Sequence, residues 1–185
     1  LAGKGRSHDF NIYSIVKYFR LCLENNPNMI DSLFVPRRCV LYATPLGDRV
    51  RERRKDFLHR GAWHKFKGYA YSQMHKLRGK APKGKRKALV EEFGFDVKFA
   101  YHVVRLLNEV EQILIEQDLD LERSREQLKA IRRGEWSLER LEQYVQDKEA
   151  DLESAYAASK LPAKPDSERI KALLLECLEQ HFGSL

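Results

Sequence analysis

Apolar positions recur at helical spacing along most of the chain. Ile15, Val16, Phe19, Cys22 and Leu23 share one stripe, with Lys17, Arg20 and Glu24 outside it, which predicts an amphipathic helix. Just before it, Phe10 and Ile12 alternate with Asp9, Asn11 and Tyr13, the period of a short strand that turns Asp9 to one face and its apolar residues to the other. The proline of Asn25-Asn26-Pro27-Asn28 disfavours helical backbone in the residue ahead of it, so the helix should end there, with the apolar run Met29 to Val35 packing behind. Cys39 to Ala43 reads as a short strand or buried edge. Gly47 to His59 reads as a helix carrying Arg49, Arg51, Arg53, Arg54 and Lys55, a pattern usual for a solvated face. Residues 62–78 form another helical pattern through Trp63, Phe66, Tyr69, Ala70 and Met74.

The clearest pattern spans about 96 to 117. Phe99, Val103, Leu106, Leu107, Val110, Ile113 and Leu114 share one face, and Lys98, His102, Arg105 and Glu109 share a second, roughly 120° away by helical geometry. Beyond it, Ser124 with Gln127 makes a capping box for a short helix that Gly134 ends, and Ser137 caps a helix over 138–158. Trp136 reads as a core anchor between these two helices. The Lys160 to Pro165 segment breaks the chain before a last helix, capped by Asp166 or Ser167 and ended by Gly183.

Charge adds a polarity that periodicity does not show. Residues 1–108 hold 23 Lys and Arg against 9 Asp and Glu, whereas residues 109–185 hold 11 against 18. The basic half should therefore face an anionic ligand. Within it, Arg78 to Ala88 has six basic residues, no acidic one, two glycines and a proline. This reads as a mobile basic loop in which Lys83, Lys85, Arg86 and Lys87 can clamp nucleic-acid phosphates. Lys98, His102 and Arg105, three cationic or potentially cationic groups at i, i+4 and i+7, suit a triphosphate. Tyr101, at the border of the two faces, suits either stacking on a base or packing in the core. Three widely spaced cysteines fit reduced thiols better than a disulfide framework or a zinc site, and no histidine pair has zinc-helix spacing. No apolar run has membrane-spanning length and no secretory signal opens the sequence, so the expectation is a cytoplasmic protein.

Residues 8–36 resemble the DNA polymerase beta superfamily of nucleotidyltransferases, in particular its RNA-repair-pathway branch. The residues that carry the resemblance are Asp9, the helix Tyr13 to Leu23 and the turn Asn26-Pro27-Asn28, then Phe66 to Ala70, Gln73, Asp96 to His102 with Arg105, and Ile131 to Trp136. The resemblance implies an α+β fold, predominantly helical. Residues 1–95 would be the C-terminal part of the transferase core and 96–185 a helical region. The Gly-Ser turn and Asp-x-Asp pair with which such enzymes begin are absent before Asp9, so the expectation is an incomplete core.

By the same resemblance, Asp9 is the third carboxylate that binds Mg2+ (or Mn2+) beside the attacking hydroxyl. Lys98, Tyr101, His102 and Arg105 contact the NTP substrate, and an RNA end is the acceptor. Two other readings stay open: a non-catalytic nucleotide- or RNA-binding module of the same fold, and a helical interaction protein whose acidic C-terminal helices meet a protein partner.

Overall fold

The computed structural model describes residues 11–79 and 85–183, except the side chains of residues 77–79, 85 and 86. Among them run nine α-helices: α1 (Ile15–Leu23), α2 (Pro27–Phe34), α3 (Pro45–Glu52), α4 (Ala62–Gly79), α5 (Lys85–Phe93), α6 (Val97–Glu116), α7 (Arg125–Arg132), α8 (Leu138–Ala158) and α9 (Ser167–Phe182). The predominantly helical expectation holds, and no strand occurs among the described residues. Asp9 and Phe10 lie outside them, and Asn11 to Ser14 are irregular. The strand expected at Cys39 to Ala43 is corrected. Arg37–Cys39 is a 3-10 turn, and Leu41 and Tyr42 are 101% and 82% exposed. Short apolar runs take strand form only when a neighbouring strand accepts their backbone bonds, and none is present here among the described residues.

The helix expected over Gly47 to His59 starts earlier and ends sooner. Thr44 caps α3 by accepting the Gly47 amide at 3.1 Å, Pro45 occupies the first turn, and a 3-10 turn over Arg54–Phe57 follows. Its arginines are partly tethered. Arg51 donates to the Val35 carbonyl at 2.6 Å and Arg54 to the Arg51 carbonyl at 3.0 Å.

The turn between α1 and α2 is built around Asn25, which is fully buried with φ of 49°. Asparagine tolerates the left-handed region better than most side chains. Its Nδ2 donates to the Cys22 carbonyl at 3.1 Å and to the Phe57 carbonyl at 2.7 Å, tying the turn to the distant 3-10 segment. Pro27 then opens α2. His59 completes this corner. Its Nδ1 accepts the Gly61 amide at 3.1 Å, so Nε2 is the donor to the Leu23 carbonyl at 2.9 Å, and burial pulls its pKa down toward this neutral form.

The hydrophobic centre is α6, which packs against α4, α7, α8 and α5, while α9 returns to α1 and α3. Packing thus crosses residue 95 in both directions. All seven expected core residues of α6 are buried, and so are Val97, Ala100, Val104, Asn108, Glu109 and Gln112. From Val103 to Leu114 the helix is covered on most sides, with Ile115 and Glu116 exposed at its end. Of the second face expected from Lys98 to Glu109, only Lys98 is exposed, and Arg105 and Glu109 are largely covered.

Buried polar residues of α6 also reorganise their neighbours. Asn108 donates to Ser124 Oγ at 2.9 Å and Gln127 Oε1 at 2.7 Å, and accepts from the Tyr144 hydroxyl at 2.5 Å. The expected Ser124–Gln127 capping box is thus replaced by an Asn108 bridge, and Ser124 makes no side-chain cap bond. Trp136 is buried edge-on to Tyr144 at 5.2 Å, the anchor its sequence position implied. Gly134, with φ of 75°, closes α7 against Phe93, whose ring would lie 2.1 Å from an added Cβ. Among the described residues no helix is long and apolar enough to cross a membrane.

The Asn25 corner generates a test. Asn25→Ala loses two buried hydrogen bonds and keeps the unfavourable backbone, and should cost about 2–4 kcal/mol. Asn25→Gly, which relieves the backbone alone, should cost about 1 kcal/mol less. Urea unfolding midpoints of the two variants measure the difference.

Candidate functional site

The first turns of α6 present the one expected cluster that lies wholly within the described residues. Asp96 caps the helix, its Oδ1 accepting the Lys98 amide at 2.9 Å and the Phe99 amide at 3.4 Å, and so fixes where the following side chains point. Lys98 is exposed and carries no ion pair among the described residues. Tyr101 and His102 are half-buried with their rings edge-to-face at 5.4 Å. Tyr101 also meets α7, where the Arg132 guanidinium lies 6.0 Å from its ring centre.

Arg105 is placed differently from expectation. Its guanidinium sits between Asp31 of α2 and Glu109 one turn further along α6, bonded to Asp31 and at 3.0 Å from Glu109 Oε1. The three side chains are 17%, 19% and 6% exposed. Arg105 is thus a tie between α2 and α6 rather than an open ligand. Burial pushes the Asp31 and Glu109 carboxyls up, the Asp31 charge raises Glu109 further, and Arg105 pulls both back. One cation facing two carboxylates leaves one carboxyl holding its proton near neutrality. Asp31 was not anticipated from the sequence; the available signal was a lone acid inside the apolar run Met29 to Val35.

Between Tyr101 and α7 opens a cavity of about 280 Å³, lined also by Arg38, Leu121, Glu122, Arg125, Leu128, Lys129 and Arg132. A larger, mainly apolar cavity of about 560 Å³ lies between α1, α2 and α3 and includes no residue of α6. The model of the RNA repair pathway DNA polymerase beta family matches residues 5–176. The chain belongs to that family. No curated protein and no solved structure matches it.

The family assignment supports a nucleotidyltransferase role in RNA repair, and members of this superfamily generally use NTPs and divalent metals. Among the described residues no group of three or more His, Cys, Asp or Glu could hold a metal ion. The part-buried pair Asp31 and Glu109 is already engaged by Arg105 and does not fit one. Asp9 and Lys83 lie outside the described residues. Lys85 and Arg86 belong to α5, so the basic stretch is helical from Lys85 and not a loop throughout. Lys87 is exposed and lies 3.5 Å from Glu91. The acidic second half is partly matched internally: Glu149 and Glu153 pair with Lys67, and Glu111 with Lys148.

The triad has a measurable signature. Arg105→Met leaves two buried carboxyls without a cation and should destabilise by about 3–5 kcal/mol, whereas Glu109→Gln should stay within about 1 kcal/mol at neutral pH. Because folding raises the Glu109 pKa, the stability it contributes is complete below the ordinary carboxylate range and is lost as pH rises above that range. Urea midpoints measured from acid to neutral pH should fall more steeply for the wild type than for Glu109→Gln.

Proposed function

We propose that the protein transfers a nucleoside monophosphate from an NTP to a hydroxyl at an RNA end. The observation that carries this reading is the family match over residues 5–176, joined to the exposed Lys98 in the first turn of α6. In the step, the acceptor hydroxyl gives up its proton to solvent as its oxygen attacks the α-phosphorus, the bond to the α,β-bridging oxygen breaks, and pyrophosphate leaves. Lys98 and His102 hold the triphosphate as charge shifts toward the leaving group. Tyr101 offers its ring to a base. Arg105 acts from beneath as a positioning residue: by fixing α6 against α2 it sets where Lys98 and His102 lie. Direct contact between Arg105 and the triphosphate would require it to leave Asp31 and Glu109.

Asp9 is proposed as the carboxylate for Mg2+ or Mn2+, on the strength of the family resemblance. Such a metal supplies charge stabilisation at the transferring phosphoryl group. Lys83, Lys85, Arg86 and Lys87 are proposed to hold the RNA backbone.

The test separates binding from transfer. Lys98→Ala should weaken binding of a fluorescent ATP analogue about tenfold. Asp9→Asn should lower incorporation of labelled nucleotide into an RNA acceptor at least about a hundredfold while retaining part of that binding. Full transfer by Asp9→Asn in the full-length protein would overturn the assignment.

A further inference from the structure

The cavity between α6 and α7 is built unlike the rest of the surface. Arg125, Lys129 and Arg132 stand at i, i+4 and i+7 and so share one face of α7, spanning about 10 Å by the helical rise. Neither Arg125 nor Arg132 forms a close ion pair among the described residues, although Arg125 lies near enough to Glu126 to help lower its pKa. Lys129 pairs with Glu126 at 2.8 Å on an exposed surface, where solvent competes and the bond is weak. Arg38 enters from the opposite side, held by Glu122, whose carboxylate it neutralises. The floor is apolar, from Leu121 and Leu128, and one wall is the Tyr101 ring with Arg132 against it.

This combination has two demands. Exposed guanidinium groups spread along a helix face match several phosphates in a row rather than one compact group. An aromatic wall over an apolar floor matches the flat face of an unpaired base. At about 280 Å³ the cavity takes one nucleotide and excludes a duplex. We infer that the cleft is a single-stranded RNA subsite, in which Tyr101 stacks one unpaired base and Arg125, Lys129 and Arg132 hold the phosphates beside it. The inference deepens the transferase reading by assigning the base on Tyr101 to the RNA, not to the NTP.

The test uses the full-length protein and two probes, a fluorescein-labelled single-stranded RNA oligonucleotide and a fluorescent ATP analogue, both read by anisotropy. The exposed pair Arg125→Ala/Arg132→Ala should raise the RNA Kd at least about tenfold and flatten its dependence on salt by about one to two phosphate contacts. Its Kd for the ATP analogue should change less than about twofold. Tyr101→Leu, which keeps apolar bulk, should weaken RNA binding about tenfold without altering the salt slope. RNA binding that is unchanged in the double variant, or a loss confined to the ATP analogue, overturns the subsite. Neither readout depends on turnover, so such a failure leaves the transferase reading to be judged separately by Asp9→Asn.

Discussion

The Arg105 ion pair with Asp31 and Glu109 constrains the whole site. It is a charged link between α2 and the central helix, and it is part-buried, with Glu109 the most covered of the three. A guanidinium in that position must keep its partners, because an unpaired buried charge costs several kcal/mol. The geometry of α6 relative to the Asn25 corner is therefore fixed by electrostatics as well as by packing. The consequence reaches one turn further, to Tyr101 and His102, whose rings emerge where α6 leaves the core. A covered helix whose first turn carries the exposed Lys98 is a sound base for holding a charged ligand.

The charge polarity of the sequence has two physical meanings, and only one concerns a ligand. Much of the excess positive charge in the first half meets the excess negative charge of the second: Arg49 with Glu176 at 3.1 Å, Lys55 with Asp118 at 2.6 Å, and Lys67 with Glu149 and Glu153. Each such surface pair contributes little stability. Together they orient distant parts of the chain and remove those cations from consideration as ligands. Among the cations left without an ion pair in the described residues are Lys98 at the start of α6, and Arg125 and Arg132, which share one face of α7.

Periodicity made the helices legible, since a stripe of apolar residues records which side of a helix is covered. Phe99 to Leu114 on α6 is the clear case. It did not reveal that the polar side of α6 is covered too, because Asn108, Glu109 and Gln112 look like solvent residues until their partners are known. Asn108 needs Ser124, Gln127 and Tyr144, which tertiary packing brings to it, and Glu109 pairs within α6 with an Arg105 that is itself held by Asp31 of α2. The Ser124–Gln127 spacing misled for the same reason: a capping box is a local preference, and a buried amide nearby competes for the same oxygens. Cys39 to Ala43 shows the converse limit, an apolar run with no partner strand to make it one.

The choice of arginine at position 105 follows from these demands. The site offers carboxylates from two different helices, and the guanidinium meets both through the one nitrogen Nη1, with its charge spread over the planar group. A lysine would present a compact, more strongly hydrated charge on a flexible stem, and burial would favour its neutral form. It would then leave two carboxyls facing each other across the α2–α6 contact. With arginine the cation persists at any physiological pH, so the carboxyls alone take up changes in protonation. The open turn of α6 thus keeps its position while charge beneath it is adjusted, and this separates the anchoring of the helix from the ligand chemistry at its end.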